Sequence, residues 1–184
     1  FNIMKLAYQK KIESAVYISS MEIYGQIPDK HGKVDENDYG YIDPLSTRSC
    51  YPMGKRMAEN ICANYFHQYG LPVKIARLSQ TFGAGIHETD NRVFSQFARS
   101  VVNKEDIILH TDGSAIGNYC YSADAILGLI FILLKGKNGQ AYNIVNEEST
   151  MTIRQMAELV AEKVAKGSIS VRYDIPESNI YGYA

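Results

Sequence analysis

The chain has 184 residues, with 19 basic and 20 acidic side chains, a formal net charge of −1, 14 tyrosines and no tryptophan. That length suits a substantial core, and the even charge balance gives no electrostatic reason to expect nucleic acid or an anionic membrane as partner. The longest apolar run, residues 125–134, is about half the roughly 20 residues that span a bilayer, and the opening "FNIMKLAYQKK" reverses the charge order of a secretory signal.

The chain opens on Phe1 inside a helical pattern carried by Ile3, Leu6 and Ala7, as a piece cut from something longer would. Residues 2–11 predict a helix and 15–19 a buried strand. That strand runs into "SSMEIYG", residues 19–25, whose hydroxyls, carboxylate, phenol and glycine suit the mouth of a site better than a plain turn. A polar stretch with Pro28, Gly32, Gly40 and Pro44 predicts a long surface loop. Residues 51–69 predict a helix with two apolar stripes, Met53, Met57, Ile61, Tyr65 and Ala58, Cys62, Phe66, Tyr69. One stripe suits the sheet and the other another subunit, and Gly70 stands where a C-cap glycine belongs. Residues 71–79 predict a strand followed by the turn "TFGAG", 91–103 a helix and 106–110 a short strand. Ser122 is expected to cap the helix carrying residues 126–134, and 141–145 predicts another strand. "TIRQ", residues 152–155, reads as a capping box opening a helix with Ile153, Met156, Ala157, Val160 and Val164 on one face. This alternation predicts an α/β protein with a largely parallel sheet.

Three widely spaced cysteines, Cys50, Cys62 and Cys120, read as reduced thiols of a cytoplasmic protein. His31, His67, His87 and His110 share no metal-ligand spacing and read as surface or loop residues. Tyr51 and Lys55 are four apart, so their side chains stand on one helix face, a turn apart. A lysine ammonium beside a tyrosine hydroxyl favours the phenolate, which can take a proton from an alcohol while a hydride leaves the same carbon. Taken alone, the spacing is equally that of an ordinary exposed helix pair.

In this order, "SSMEIYG", the Tyr51/Lys55 pair and "ARLSQTFGAG" resemble the extended short-chain dehydrogenase/reductases, the nucleotide-sugar epimerases, dehydratases and decarboxylases. The resemblance continues through Gly113 to Asp124 and the "YNIV" strand. It implies the back half of a Rossmann-type parallel sheet plus a small α/β substrate-binding region. Residues 1–80 would carry the cofactor-side half, and 81–184 mainly the substrate region, with 115–136 returning to the core. It implies NAD as cofactor, a nucleotide sugar as substrate and a homodimer through helix 51–69. Tyr51 would be the base, Ser20 would bond the sugar O4, and Lys55 would bind the nicotinamide ribose, with Ser19 also on the cofactor side. Gln80, Arg92 and Tyr121 would face the substrate. Oxidising C4 to a ketone makes the C5 proton acidic and a C6 carboxylate labile, which lets one site serve several outcomes.

The stretch Met21-Glu22 resembles the UDP-glucuronate decarboxylases, which keep only the glutamate of the Asp-Glu pair found in 4,6-dehydratases. Methionine cannot protonate a leaving hydroxyl, so a dTDP-glucose 4,6-dehydratase is the rival within the class. For Glu22 the alternative is a solvated carboxylate near a loop, and for Ser19 a strand-end hydroxyl bonded to backbone. Gln80 replaces a family asparagine, and Gly117 replaces an arginine that meets the diphosphate, leaving Arg92 as the substitute cation. The fingerprint G-x-x-G-x-x-G, whose amides bind the cofactor pyrophosphate, does not occur in the sequence. A non-catalytic binding module or an inactive fragment is therefore the alternative of another class.

Overall fold

The computed structural model describes residues 1–27 and 33–176, and the expectations for Pro28, His31 and Gly32 fall outside them. Within this range the chain divides into two compact units, the described residues of 1–81 with 120–145 and those of 82–119 with 146–176.

The first unit is built on a parallel sheet ordered β1-β2-β6, from Ala15–Ser20, Val73–Leu78 and Ala141–Ile144. Strands β1 and β2 run in register from Ala15 opposite Val73 to Ser20 opposite Leu78. The strands are covered on both faces, as alternation along β2 shows. Val73 and Ile75 join Cys62 and Tyr65 of α2 (Cys50–Tyr69), together with Met4 of α1 (Asn2–Gln9). Ala76 faces the other way and joins Ala125 and Ile132 of α4 (Ser122–Lys135). Helix α2 ends where expected: Gly70 takes the left-handed conformation at φ +66°, and its N–H closes on the Phe66 carbonyl.

The second unit holds α3 (Val93–Asn103), α5 (Ile153–Leu159) and two strand pairs. Strands β4 (Ile107–Leu109) and β8 (Val171–Tyr173) pair in parallel. Strands β5 (Ile116–Tyr121), whose last two residues count in the first unit, and β7 (Thr150–Thr152) pair antiparallel; β3 spans Gln80–Phe82, with its first two residues in the first unit. Phe94, Phe97, Ile107, Leu109 and Met156 form part of its core.

Two local expectations are corrected. Ser122 is the first residue of α4 rather than its cap; Tyr121 is the N-cap and makes no side-chain capping bond. The face assigned to the last helix holds from Ile153 to Val160, which packs against the core of the second unit, and fails at Val164. The capping box forms, with Thr152 and Gln155 reciprocally bonded, and Met156 and Ala157 are buried. A π-turn over Val160–Val164 then adds a residue, so that Ala165 takes the inward place and Val164 is left 61% exposed.

Candidate active site

The residues singled out at the end of the first strand and the start of the long helix all lie in the first unit. Ser20 ends β1 and caps a 3₁₀ turn, Met21–Tyr24, with its Oγ accepting the Glu22 N–H at 3.2 Å. A strand handing over to a helical turn has orphan amide donors, and a serine oxygen takes one of them. Ile23 and Tyr24 are buried, rooting the turn, whereas Glu22 is exposed. Gly25 follows at φ +65°, and a Cβ there would lie 2.4 Å from the Tyr41 carbonyl oxygen, so the position admits only glycine.

Tyr51 stands in the first turn of α2 and is 48% exposed. One turn on, Lys55 Nζ lies 5.6 Å from the Tyr51 ring centroid and 5.2 Å from that of Tyr17, and donates to the Ile18 carbonyl at 2.8 Å. The next residue, Arg56, donates Nε to the Ile23 carbonyl at 2.6 Å and Nη2 to those of Tyr24 at 3.2 Å and Gly40 at 2.8 Å. Consecutive cations of one helix thus hold backbone on either side of Ser20, which brings the Tyr51/Lys55 turn to the strand end carrying Ser20 and Glu22.

Beneath this surface lies a buried ion pair. Arg77 on β2, 1% exposed, donates Nε and Nη2 to the Glu59 carboxylate of α2 at 3.0 and 2.7 Å. Burial alone would make its guanidinium easier to deprotonate, but hydrogen bonds to Glu59, Tyr24 and Tyr39 prevail and hold it protonated more firmly than an ordinary arginine. Sequence reasoning passed over Arg56, Glu59 and Arg77. The signal was there for two of them: Glu59 interrupts a helix face between buried positions, and Arg77 interrupts the apolar strand "VKIARL".

The remaining candidates are less concentrated. Ser19 is buried on β1, and its Oγ has no hydrogen-bond partner among the described residues. Gln80 is half-buried on β3, and Tyr121 is exposed at the start of α4. Arg92 belongs to the second unit, where Nε and Nη2 grip the Asp90 carboxylate at 2.9 and 2.5 Å and the guanidinium lies 4.7 Å from the Phe94 ring centroid. Hydrogen bonds from Arg92 hold the Asp90 carboxyl well below the usual carboxylate range, so much of this cation is committed locally. At Gly117 a Cβ would meet the Tyr119 phenol oxygen at 2.8 Å, which leaves no room for an arginine unless that ring moves.

The donor set fits a nicotinamide ribose. The Lys55 ammonium has two protons beyond the one given to Ile18, and the Ser19 hydroxyl is an orphan buried polar group.

A tyrosine and a lysine thus stand one turn apart on a helix laid against a parallel strand that ends in serine, in an α/β unit built on a Rossmann-like sheet. The chain belongs to the NAD dependent epimerase/dehydratase family, whose profile matches residues 1–146. It is 33% identical over 168 residues to UDP-glucuronic acid decarboxylase 1 of Danio rerio, covering 91% of this chain and 39% of that protein. It is 32% identical over 164 residues to UDP-glucuronic acid decarboxylase 3 of Arabidopsis thaliana, covering 89% and 46%. The chain thus spans less than half the length of these curated relatives. Among solved structures, the fold is similar to UDP-N-acetylglucosamine 4-epimerase from Methanobrevibacter ruminantium M1, with a TM-score of 0.82 and 21% identity over 97% of this chain and 56% of that one. It is also similar to dTDP-glucose 4,6-dehydratase from Bacillus anthracis, with a TM-score of 0.77 and 22% identity over 94% and 53%.

Proposed function

We propose that these residues serve an NAD-dependent enzyme that modifies a UDP-sugar by transient oxidation at C4, with decarboxylation or epimerisation as the outcome. The observation that carries the reading is the Lys55 ammonium, bonded to the strand end at Ile18 and set beside the Tyr51 ring, one turn of helix from it. When bound, NAD supplies the acceptor for the C4 hydride. Tyr51 takes the O4 proton, Ser20 holds O4 in place, and Lys55 reaches the ribose hydroxyls and keeps positive charge beside the tyrosine. Once C4 is a ketone, a C6 carboxylate lies β to it and leaves as CO2, its bonding electron pair passing to C5 and on to the ketone oxygen; C5 then takes a proton, and the hydride removed from C4 is returned there to give the pentose. In this reading exposed Glu22, two residues on from Ser20, manages the C5 proton, and Met21 weighs against the loss of water that a 4,6-dehydratase needs.

In this reading the residues of 1–80 carry the cofactor side, and 81–184 mainly the substrate side, including Gln80 at the boundary, Arg92 and Tyr121. Met57, 62% exposed, and its neighbour Met53 on α2 form the apolar strip through which two copies pair. The reduced cysteines suit a cytoplasmic protein. The decarboxylase relatives, which cover most of the chain, favour UDP-glucuronate as the first substrate to try. Full-length protein given UDP-glucuronate and NAD should release CO2 and a UDP-pentose. An epimerised uronate would select the sister outcome, and no turnover of any UDP-sugar would sink the proposal in favour of a non-catalytic binding module.

A further inference from the structure

The turn that carries Ser20 and Glu22 has little regular structure of its own to hold it. Its backbone, and that of residues 34–41, is irregular, and each buried carbonyl there needs a donor. Gln26 and Tyr41 exchange backbone hydrogen bonds at 2.9 and 2.8 Å, and the Gly40 N–H reaches the Tyr24 carbonyl at 2.8 Å. Beyond these bonds, two arginines supply the donors. Arg56 forks across the carbonyls of Ile23, Tyr24 and Gly40, and Arg77 gives Nη1 to the Glu36 carbonyl at 2.6 Å and to the Tyr24 hydroxyl at 3.0 Å. The Tyr24 hydroxyl passes its own proton to Asn143 Oδ1 at 2.5 Å, and the Asn143 amides bind Glu36 and Val34.

We propose that Arg56 is a positioning residue for the reaction, fixing the Ser20–Glu22 turn in register with Tyr51 and Lys55, with Arg77 and Glu59 as its buried anchor. This inference rests on the functional reading above. Lys55 and Arg56 are adjacent on one helix, so bonds from the first to Ile18 and from the second to Ile23 and Tyr24 leave the intervening residues little freedom relative to Tyr51. A planar guanidinium with a fixed fork of donors suits three carbonyls at once, whereas a lysine ammonium concentrates its charge at one point. Small misplacements of a reacting group carry large rate penalties.

The test is Arg56→Lys in the full-length protein, which keeps the charge and the aliphatic stem. Amide exchange at Gly25, Gln26, Gly40 and Tyr41 should quicken by about tenfold or more while the amides of β2 keep their protection. Turnover should fall in kcat, on the order of tenfold, with KM unchanged, because the turn acts on the transition state rather than on ground-state binding. A merely structural tether would lower thermal stability without that split between kcat and KM. Unchanged exchange at those four amides, or faster exchange with an unchanged kcat, overturns the proposal. Tyr51→Phe run in parallel separates the two claims. If it abolishes turnover while Arg56→Lys leaves kcat intact, the functional reading stands and the positioning role fails. If turnover survives Tyr51→Phe, both fail.

Discussion

The sharpest energetic consequence of the structure concerns Glu59. Its carboxylate takes two hydrogen bonds from Arg77, whose guanidinium is all but sealed from water. In Glu59→Ala the remaining acceptors are Tyr24, Tyr39 and the Glu36 carbonyl, all of them neutral. An unpaired buried cation of this kind costs about 3–5 kcal/mol, a large part of the roughly 5–15 kcal/mol that holds a domain folded. With a urea slope of about 2 kcal/mol per molar, the midpoint of the first unit should fall by roughly 2 M. Cys62 offers a probe specific to that unit: its thiol is buried in the α2–β2 cluster, so pulsed alkylation across a urea series reports its unfolding. Replacing both partners, Glu59→Leu with Arg77→Met, should recover stability to within about 1–2 kcal/mol, since an apolar pair of similar volume has no charge to desolvate. A loss below about 1 kcal/mol for Glu59→Ala, with the slope unchanged, would refute the claim that the pair is buried and mutually dependent.

Three further outcomes are expected. At pH 8, iodoacetamide should modify exposed Cys50 first; burial pushes the Cys62 thiol up to about 11, so only on the order of one part in a thousand is thiolate at that pH, and peptide mass spectrometry should show its labelling rising as the pH is raised. Thr152→Ala removes half of the capping box and should cost about 1 kcal/mol in thermal or urea unfolding. Because of the π-turn, Val164→Asp should be nearly neutral while Ala165→Asp should destabilise by several kcal/mol, and equal effects in the same unfolding assay would contradict the shifted register.

Where periodicity was strong, the sequence was a good guide. The apolar stretch at 15–19, the long helix and its glycine cap, and the strand after it all formed within a residue or two of their expected bounds. Short strands such as Thr150–Thr152 and Val171–Tyr173 carried too few residues for alternation to register. The π-turn was invisible because apolar spacing assumes a constant period, and Val164 fits the α-helical count as well as Ala165 fits the observed one. Tyr51, Lys55, Ser20 and Glu22 stood out in the sequence because chemistry-bearing residues occur at element ends in a recognisable order, and the fold gathers them at the end of β1 and the first turns of α2. Arg56, Glu59 and Arg77 did not stand out, because a charged residue read in isolation suggests solvent, and only the fold shows that Arg77 and Glu59 meet out of water. Arg92 illustrates the converse: its charge was legible, but its grip on Asp90 two residues earlier was not.

The measurement that bears most directly on the central claim is turnover of a UDP-sugar by the full-length protein carrying Tyr51→Phe, with NAD affinity measured on the same sample by calorimetry. Phenylalanine keeps the ring on the first turn of α2 and removes only the hydroxyl proposed to exchange the O4 proton. The account predicts turnover reduced by a factor on the order of a hundred or more, with NAD binding within about twofold of the unmodified protein. Turnover that persists with NAD still bound would contradict it, since the proton would then be leaving O4 by a route that does not pass through Tyr51.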